Sequence, residues 1–170
     1  MRHSHCGYCG TAFPAGSGWP RTCPGCGEMT WHNPLPVAVA LVPVRRKGAA
    51  TGAVTGLVVV RRAIEPGYGR LGLPGGFMEV GESWQEAMAR ELFEETTIVA
   101  DPAAIRLFDV HSPPTAHTLQ VFGVLPALDE ADLPPMVPNE ETLEWLVVTE
   151  PQDLVFDTHT RAMADYFASA

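Results

Sequence analysis

Past residue 26 the 170-residue chain contains no cysteine, and nowhere does it hold the run of about 18 apolar residues that a membrane helix needs. The N-terminus, Met1-Arg2-His3-Ser4-His5, leads into cysteines where a secretory signal would place its apolar core, so a soluble, cytoplasmic protein is expected. Positive charge is scarce: 11 basic residues face 20 acidic ones, for a formal charge of −9. The basic residues fall in short groups such as Arg45-Arg46-Lys47 and Arg61-Arg62, with no stripe along one element, which disfavours sequence-independent binding to duplex nucleic acid. Internal repeats and low-complexity segments are missing as well. The length suits one ordinary domain and a small appendage.

All four cysteines sit in two knuckles, Cys6-Gly-Tyr-Cys9-Gly and Cys23-Pro-Gly-Cys26-Gly, with thirteen residues between them. Gly10 and Gly27 permit the positive φ that lets backbone N–H groups turn toward sulfur. Four thiolates about 2.3 Å from a Zn²⁺ ion make a closed tetrahedron, so the zinc expected on Cys6, Cys9, Cys23 and Cys26 is structural. A pair of disulfides would require an oxidising compartment, and a redox Cys-x-x-Cys normally opens a helix after a strand. His3, His5 and His32 are expected to be solvated, because the cysteines already fill the metal's shell.

Beyond the ribbon, residues 37–44 form a β-branched run that reads as a buried strand, residues 47–52 a turn, and residues 53–62 the returning strand. The segment Glu65-Pro-Gly-Tyr-Gly-Arg-Leu-Gly-Leu-Pro-Gly-Gly76 is too rich in glycine and proline for long regular structure. Residues 82–97 have helical periodicity. Further strands are predicted at 105–111, 118–125 and 143–149. Residues 126–141, with four prolines and five acidic residues, are predicted to be a loop, and 157–170 a closing helix capped by Asp157 or Thr158. The order predicts a mixed sheet between helices, with residues 1–33 as the ribbon and 34–170 as the main domain.

Residues 75–97 hold six glutamates, one arginine and no lysine. Glu91, Glu94 and Glu95, at i, i+3 and i+4, fall within an arc of roughly 100° on one helix face. Like charges so placed repel unless something positive sits among them. An all-oxygen cluster suits a hard cation such as Mg²⁺ or Mn²⁺, and Mg²⁺ recruits phosphate oxygens to complete its octahedron. A solvated acidic face, with Arg90 bridging Glu86 and Glu94, explains the helix taken alone equally well.

The upstream spacing separates the two readings. Five residues lie between Gly76 and Glu82 and seven between Glu82 and Arg90; then follow Glu91, Leu92, a free position, Glu94, Glu95, a free position, Thr97 and Ile98. This resembles the Nudix box at eight of its nine specified positions. The departure is Thr97, where the family has the glycine of a left-handed helix cap; a longer helix or an end of different geometry is expected here.

The resemblance implies an α/β/α Nudix sandwich that hydrolyses a nucleoside diphosphate linked to another group. It implies Glu91, Glu94 and Glu95 as ligands of Mg²⁺ or Mn²⁺ with the Gly76 carbonyl as a further donor, Arg90 as their orienting partner, and Glu82 paired with Arg90. The general base varies in this family; Glu140, Glu141 and Glu144 are candidates, with Glu141 preferred. Arg61, Arg62 and Phe77 are candidate substrate contacts. Trp84, Phe122 and Trp145 could also stack on a base, although core packing is expected of Trp84 and Phe122. His111, His117 and His159 are expected to be structural.

A four-cysteine ribbon before a Nudix domain is similar to two branches of the family. NADH pyrophosphatases, which also remove NAD caps from RNA, carry Ser-Gln-Pro-Trp-Pro-Phe-Pro after the box, where this chain reads DVHSPPTAHTLQVFG. A shorter branch acting on ADP-ribose or FAD is the closer resemblance, through Asn33-Pro34, Leu73-Pro74-Gly75-Gly76 and Glu141-Thr-Leu-Glu-Trp145. A non-catalytic nucleotide sensor would be expected to have lost a metal carboxylate. A small nucleotide is the expected partner, nucleic acid is disfavoured, and the ribbon could build a homodimer interface.

Overall fold

A computed structural model describes residues 3–46, 53–54, 56–113 and 117–169. Packing divides it into two compact units, Met1–Pro34 and Leu35–Ala170. The turn expected over residues 47–52 lies outside the described residues.

In the first unit, β1 (Arg21–Thr22) and β2 (Met29–Thr30) pair antiparallel, placing the second knuckle at their hairpin. The knuckles share one backbone pattern: Gly10 N–H donates to Cys6 O and Gly27 N–H to Cys23 O, both at 2.9 Å, with Gly10 at φ +76° and Gly27 at φ +79°.

The second unit runs β3 (Leu35–Leu41), β4 (Pro43–Arg45), β5 (Gly56–Arg62), β6 (Leu71–Gly72), β7 (Gly75–Phe77), α1 (Trp84–Thr96), β8 (Arg106–His111), β9 (Thr118–Val124), β10 (Leu128–Asp129), β11 (Thr142–Val148) and α2 (Asp157–Ser169). Two mixed sheets result. One has the order β7-β3-β9-β8, with β3 and β9 parallel; the other has the order β10-β4-β5-β11, with β10 parallel to β4 and β6 also on β5.

The run expected as one strand over 37–44 is therefore two. The chain changes sheets at Val42, whose carbonyl accepts from Val58, just before Pro43, which has no N–H to give a ladder. The loop expected over 126–141 contains β10 and a single turn at Glu130–Asp132. Asp129 of β10 pairs with Arg45 of β4 at 2.9 Å, which helps hold this short strand in place.

Side chains alternate along β3 because strand residues point to opposite faces. Ala38 and Ala40 join Ala87, Met88 and Leu92 of α1 in one core; Val39 and Leu41 join Ala162, Met163 and Tyr166 of α2 in the other. This is the expected α/β/α sandwich. Trp84 and Trp145 pack against the first core, and Phe122 is fully buried in the second. Asp157 already lies in the first turn of α2, so the helix begins at the first of the two residues expected to cap it. His159, on α2, is buried and accepts the Leu73 N–H at 3.3 Å; burial, with a further contribution from Arg62, lowers its pKa to about 3 and keeps it neutral.

Candidate active site

α1 starts at a reciprocal cap. The Ser83 hydroxyl accepts from the Glu86 N–H at 3.3 Å, while the Glu86 carboxylate accepts from the Ser83 N–H at 2.7 Å. Caps of this kind contribute about 1 kcal/mol. Glu86 is thus committed to the helix start, and Arg90 does not bridge it to Glu94.

Arg90 serves other carboxylates. Its Nε and Nη2 grip Glu82 at 3.2 and 2.8 Å, Nη1 donates to Glu91 at 2.8 Å and to Glu94 at 3.0 Å, and Nη2 also reaches the Phe77 carbonyl at 3.0 Å. All five guanidinium N–H donors thereby have acceptors. The fork on Glu82 is the geometry that arginine supplies and lysine does not. It holds Glu82 below the ordinary carboxylate range, with the Glu79 N–H assisting.

Glu91 and Glu95 are buried, at 9% and 5% exposure, whereas the Glu94 side chain is 56% exposed. Two of the three carboxylates on this face are therefore withdrawn from solvent. Glu95 accepts the Gly75 N–H at 2.9 Å. Burial nevertheless pushes its pKa up to about 8, and Glu91 and Glu141 add like charge against the favourable Gly75 bond. Burial also raises Glu91, against its bond to Arg90, and Glu94 and Glu141 contribute in the same direction. Two buried acids thus lack sufficient positive charge.

β7 lies directly against this helix. A side chain at Gly76 would run into the Glu91 carboxylate, and one at Gly75, where φ is +149°, would strike the Ala38 carbonyl and Val39 Cα. Only glycine lets the β7 backbone approach so closely.

Arg90 holds Glu91 and Glu94 together, whereas Glu95 is held by the Gly75 amide. Among the described residues only the four cysteines gather three or more candidate ligand atoms within 4.8 Å of one another. Cys6 and Cys26 sulfurs stand 3.8 Å apart and those of Cys9 and Cys23 3.5 Å, close to the roughly 3.8 Å edge of a tetrahedron with 2.3 Å Zn–S bonds. The Tyr8 and Gly25 N–H groups point at the Cys6 and Cys23 sulfurs, each at 3.4 Å. The Thr11 hydroxyl and amide beside Cys9 draw its thiol down to about 6.

The remaining candidates separate. Glu141 lies near enough to Glu91 and Glu95 for its charge to act on both. Glu144 instead pairs with Arg61 at 2.6 Å, and Arg61 also donates to the Gly69 carbonyl. Arg62 donates to the Pro66 carbonyl and lies over the Phe156 ring at 5.3 Å. Both arginines therefore brace the loop after β5. Phe77 is 57% exposed at the end of β7.

Thr97 neither lengthens the helix nor changes the geometry of its end, contrary to the expectation from its β-branched side chain. α1 ends at Thr96, and Thr97 itself adopts the left-handed cap, at φ +61° and ψ +9°, with its N–H on the Phe93 carbonyl. The cap geometry persists without glycine because that hydrogen bond satisfies a helix-end carbonyl and the Thr97 hydroxyl bonds the Thr96 carbonyl at 2.6 Å.

The family model described as NUDIX domain matches residues 34–168. The chain belongs to the Nudix family. Its fold resembles a NUDIX hydrolase from Nitrosomonas europaea, with a TM-score of 0.72 and 27% identity over 98% of this chain and 91% of that one. It is also similar in fold to the NUDIX domain of Shewanella oneidensis NrtR, solved with ADP ribose, at a TM-score of 0.62 and 17% identity over 80% and 88% of the chains. Among curated proteins, the NAD-capped RNA hydrolase NudC of Salmonella heidelberg (strain SL476) is 31% identical over 97 residues, 56% of this chain and 34% of that protein. The matched stretch thus spans about a third of the length of such curated relatives. Among the described residues, no helix is long and apolar enough to cross a membrane.

Proposed function

We propose that this Nudix chain is a divalent-cation-dependent hydrolase of the pyrophosphate bond in a nucleoside diphosphate linked to a further group, with ADP-ribose or FAD as the preferred substrate. The observation that carries the reading is the pair of buried, under-neutralised acids, Glu91 and Glu95, beside an arginine whose donors are all committed. An all-oxygen donor set short of positive charge fits a hard cation.

Glu91, Glu94 and Glu95, with the Gly76 carbonyl, would hold Mg²⁺ or Mn²⁺. When bound, the cation supplies Lewis-acid polarisation of the pyrophosphate bridge and neutralises charge on the leaving phosphate. Arg90 and Glu82 keep the glutamates in position. Glu141 takes a proton from the attacking water as its oxygen bonds to phosphorus; the bridging P–O bond breaks, and its electron pair leaves on the departing phosphate. Phe77 is exposed for stacking on a base, while Arg61 and Arg62 shape the neighbouring loop. Cys6, Cys9, Cys23 and Cys26 would hold a structural Zn²⁺ with no position open for substrate.

The similarity to an NAD-capped RNA hydrolase favours a second reading, NADH or an NAD cap as substrate, which needs the same bond cleavage. Incubation with ADP-ribose, FAD, NADH, NAD-capped RNA and nucleoside triphosphates, each with Mg²⁺ or Mn²⁺ and with products identified by mass spectrometry, separates the two. AMP from ADP-ribose or FAD at the highest kcat/KM is expected. Absence of AMP and phosphate from every substrate would sink the hydrolase reading.

A further inference from the structure

Asn139 lies in the loop before β11, and its side-chain amide is used at both ends. Nδ2 donates to the main-chain oxygens of Glu94, at 2.8 Å, and Glu95, at 3.4 Å. Oδ1 accepts from the main-chain N–H groups of Glu141, at 2.9 Å, and Thr142, at 2.8 Å. The two carbonyls belong to the last turn of α1, where helix oxygens lack partners within the helix. The two N–H groups belong to the segment that presents Glu141. The orientation of the amide follows from these partners, since reversing it would face its oxygen toward two carbonyl oxygens.

The Asn139 side chain thus reaches back 45 and 44 residues along the chain, to Glu94 and Glu95. On its other side Glu141 is tied by its own carbonyl, which accepts from Ala63 at 2.7 Å. The loop therefore has two anchors, one on β5's end and one on the end of the helix that carries the carboxylates. The Asn139 anchor connects the Glu141 segment to that helix directly.

We propose that Asn139 is a positioning residue that clips the Glu141 segment to the end of α1 and so sets the Glu141 carboxylate against Glu91 and Glu95. This rests on the reading of Glu141 as the base of a hydrolase. An aspartate at 139 would keep the acceptor for Glu141 and Thr142 but lose both donors. It would also set negative charge against the carbonyl end of a helix. The turn would survive and the clip would not.

The test uses the full chain as Asn139→Ala, Asn139→Asp, Glu141→Gln and the double variant Asn139→Ala/Glu141→Gln. The measurements are kcat and KM on ADP-ribose with Mn²⁺, Mn²⁺ affinity without substrate, melting temperature, and amide hydrogen exchange over residues 139–144. Asn139→Ala is expected to lower kcat about 10- to 100-fold with KM and Mn²⁺ affinity unchanged, and to speed exchange at Glu141 and Thr142. Asn139→Asp is expected to lose kcat similarly while the two amides stay protected. The double variant is expected to be no slower than Glu141→Gln alone. A fall in melting temperature with kcat intact, or additive losses in the double variant, would overturn the proposal. A wild-type chain that hydrolyses ADP-ribose with Glu141→Gln equally fast would overturn this proposal alone; a wild-type chain inactive on every substrate would overturn the hydrolase reading with it.

Discussion

Gly75 donates its main-chain N–H to the carboxyl of Glu95 across 2.9 Å, at a point where Gly75 itself has no room for a side chain. The contact brings a β7 amide to a buried acid and leaves that acid otherwise poorly compensated.

Stability of the metal-free chain therefore depends on pH through Glu95. Its pKa rises from an ordinary 4.5 to about 8 on burial, so the folded chain keeps a proton that the unfolded chain has released. That contribution is complete below about pH 4.5 and is lost as pH climbs toward about 8. Melting curves of wild type against Glu95→Gln, which does not ionise, are expected to diverge in slope across this window, wild type losing more with rising pH. Saturating Mg²⁺ is expected to remove the divergence. Parallel curves without metal would show that Glu95 ionises in the folded chain as it does in the unfolded one.

Thr97→Gly is expected to stabilise the chain. A β-branched residue in the left-handed region costs about 1–2 kcal/mol, against which glycine loses more entropy on folding. The net gain, about 0.5–1 kcal/mol, is read as a higher urea midpoint at constant m. A lower midpoint would mean that the Thr97 hydroxyl bond to Thr96 outweighs the strain.

Glu94 tests the carboxylate site without disturbing packing, because its side chain is half exposed. Glu94→Gln is expected to lower kcat about 10²-fold or more and to weaken Mn²⁺ binding, with the metal-free melting temperature unchanged. Full activity in this variant would remove Glu94 from the site.

Cys6→Ser is expected to release zinc, measured by metal content, and to destabilise the ribbon. Binding of structural zinc supplies on the order of 10 kcal/mol of folding free energy. Retained zinc and unchanged melting would exclude the four-sulfur site.

The residues of the box were legible because each obeys a fixed spacing: Gly76, Glu82, Arg90 and the three glutamates are local to one turn and one helix. The Ser83-x-x-Glu86 spacing likewise announces the start of α1. The β3–β4 break at Val42 was hidden because the apolar run continues through it, and β10 because its pairing with β4 bridges 84 residues, from Arg45 to Asp129. The left-handed Thr97 contradicts a propensity rule, and local hydrogen bonds win there. Asn139 left no trace in the sequence, since its partners are main-chain atoms and any residue could have supplied them.

Consecutive side chains of β3 insert into different cores, Ala38 and Ala40 beneath one helix and Val39 and Leu41 beneath the other. A single inserted or deleted residue within this strand would invert both interiors at once, trading alanines for bulkier groups on each face. Length variation in this chain is thereby confined to its connecting segments, and the seven-residue strand acts as the ruler against which both helices are measured.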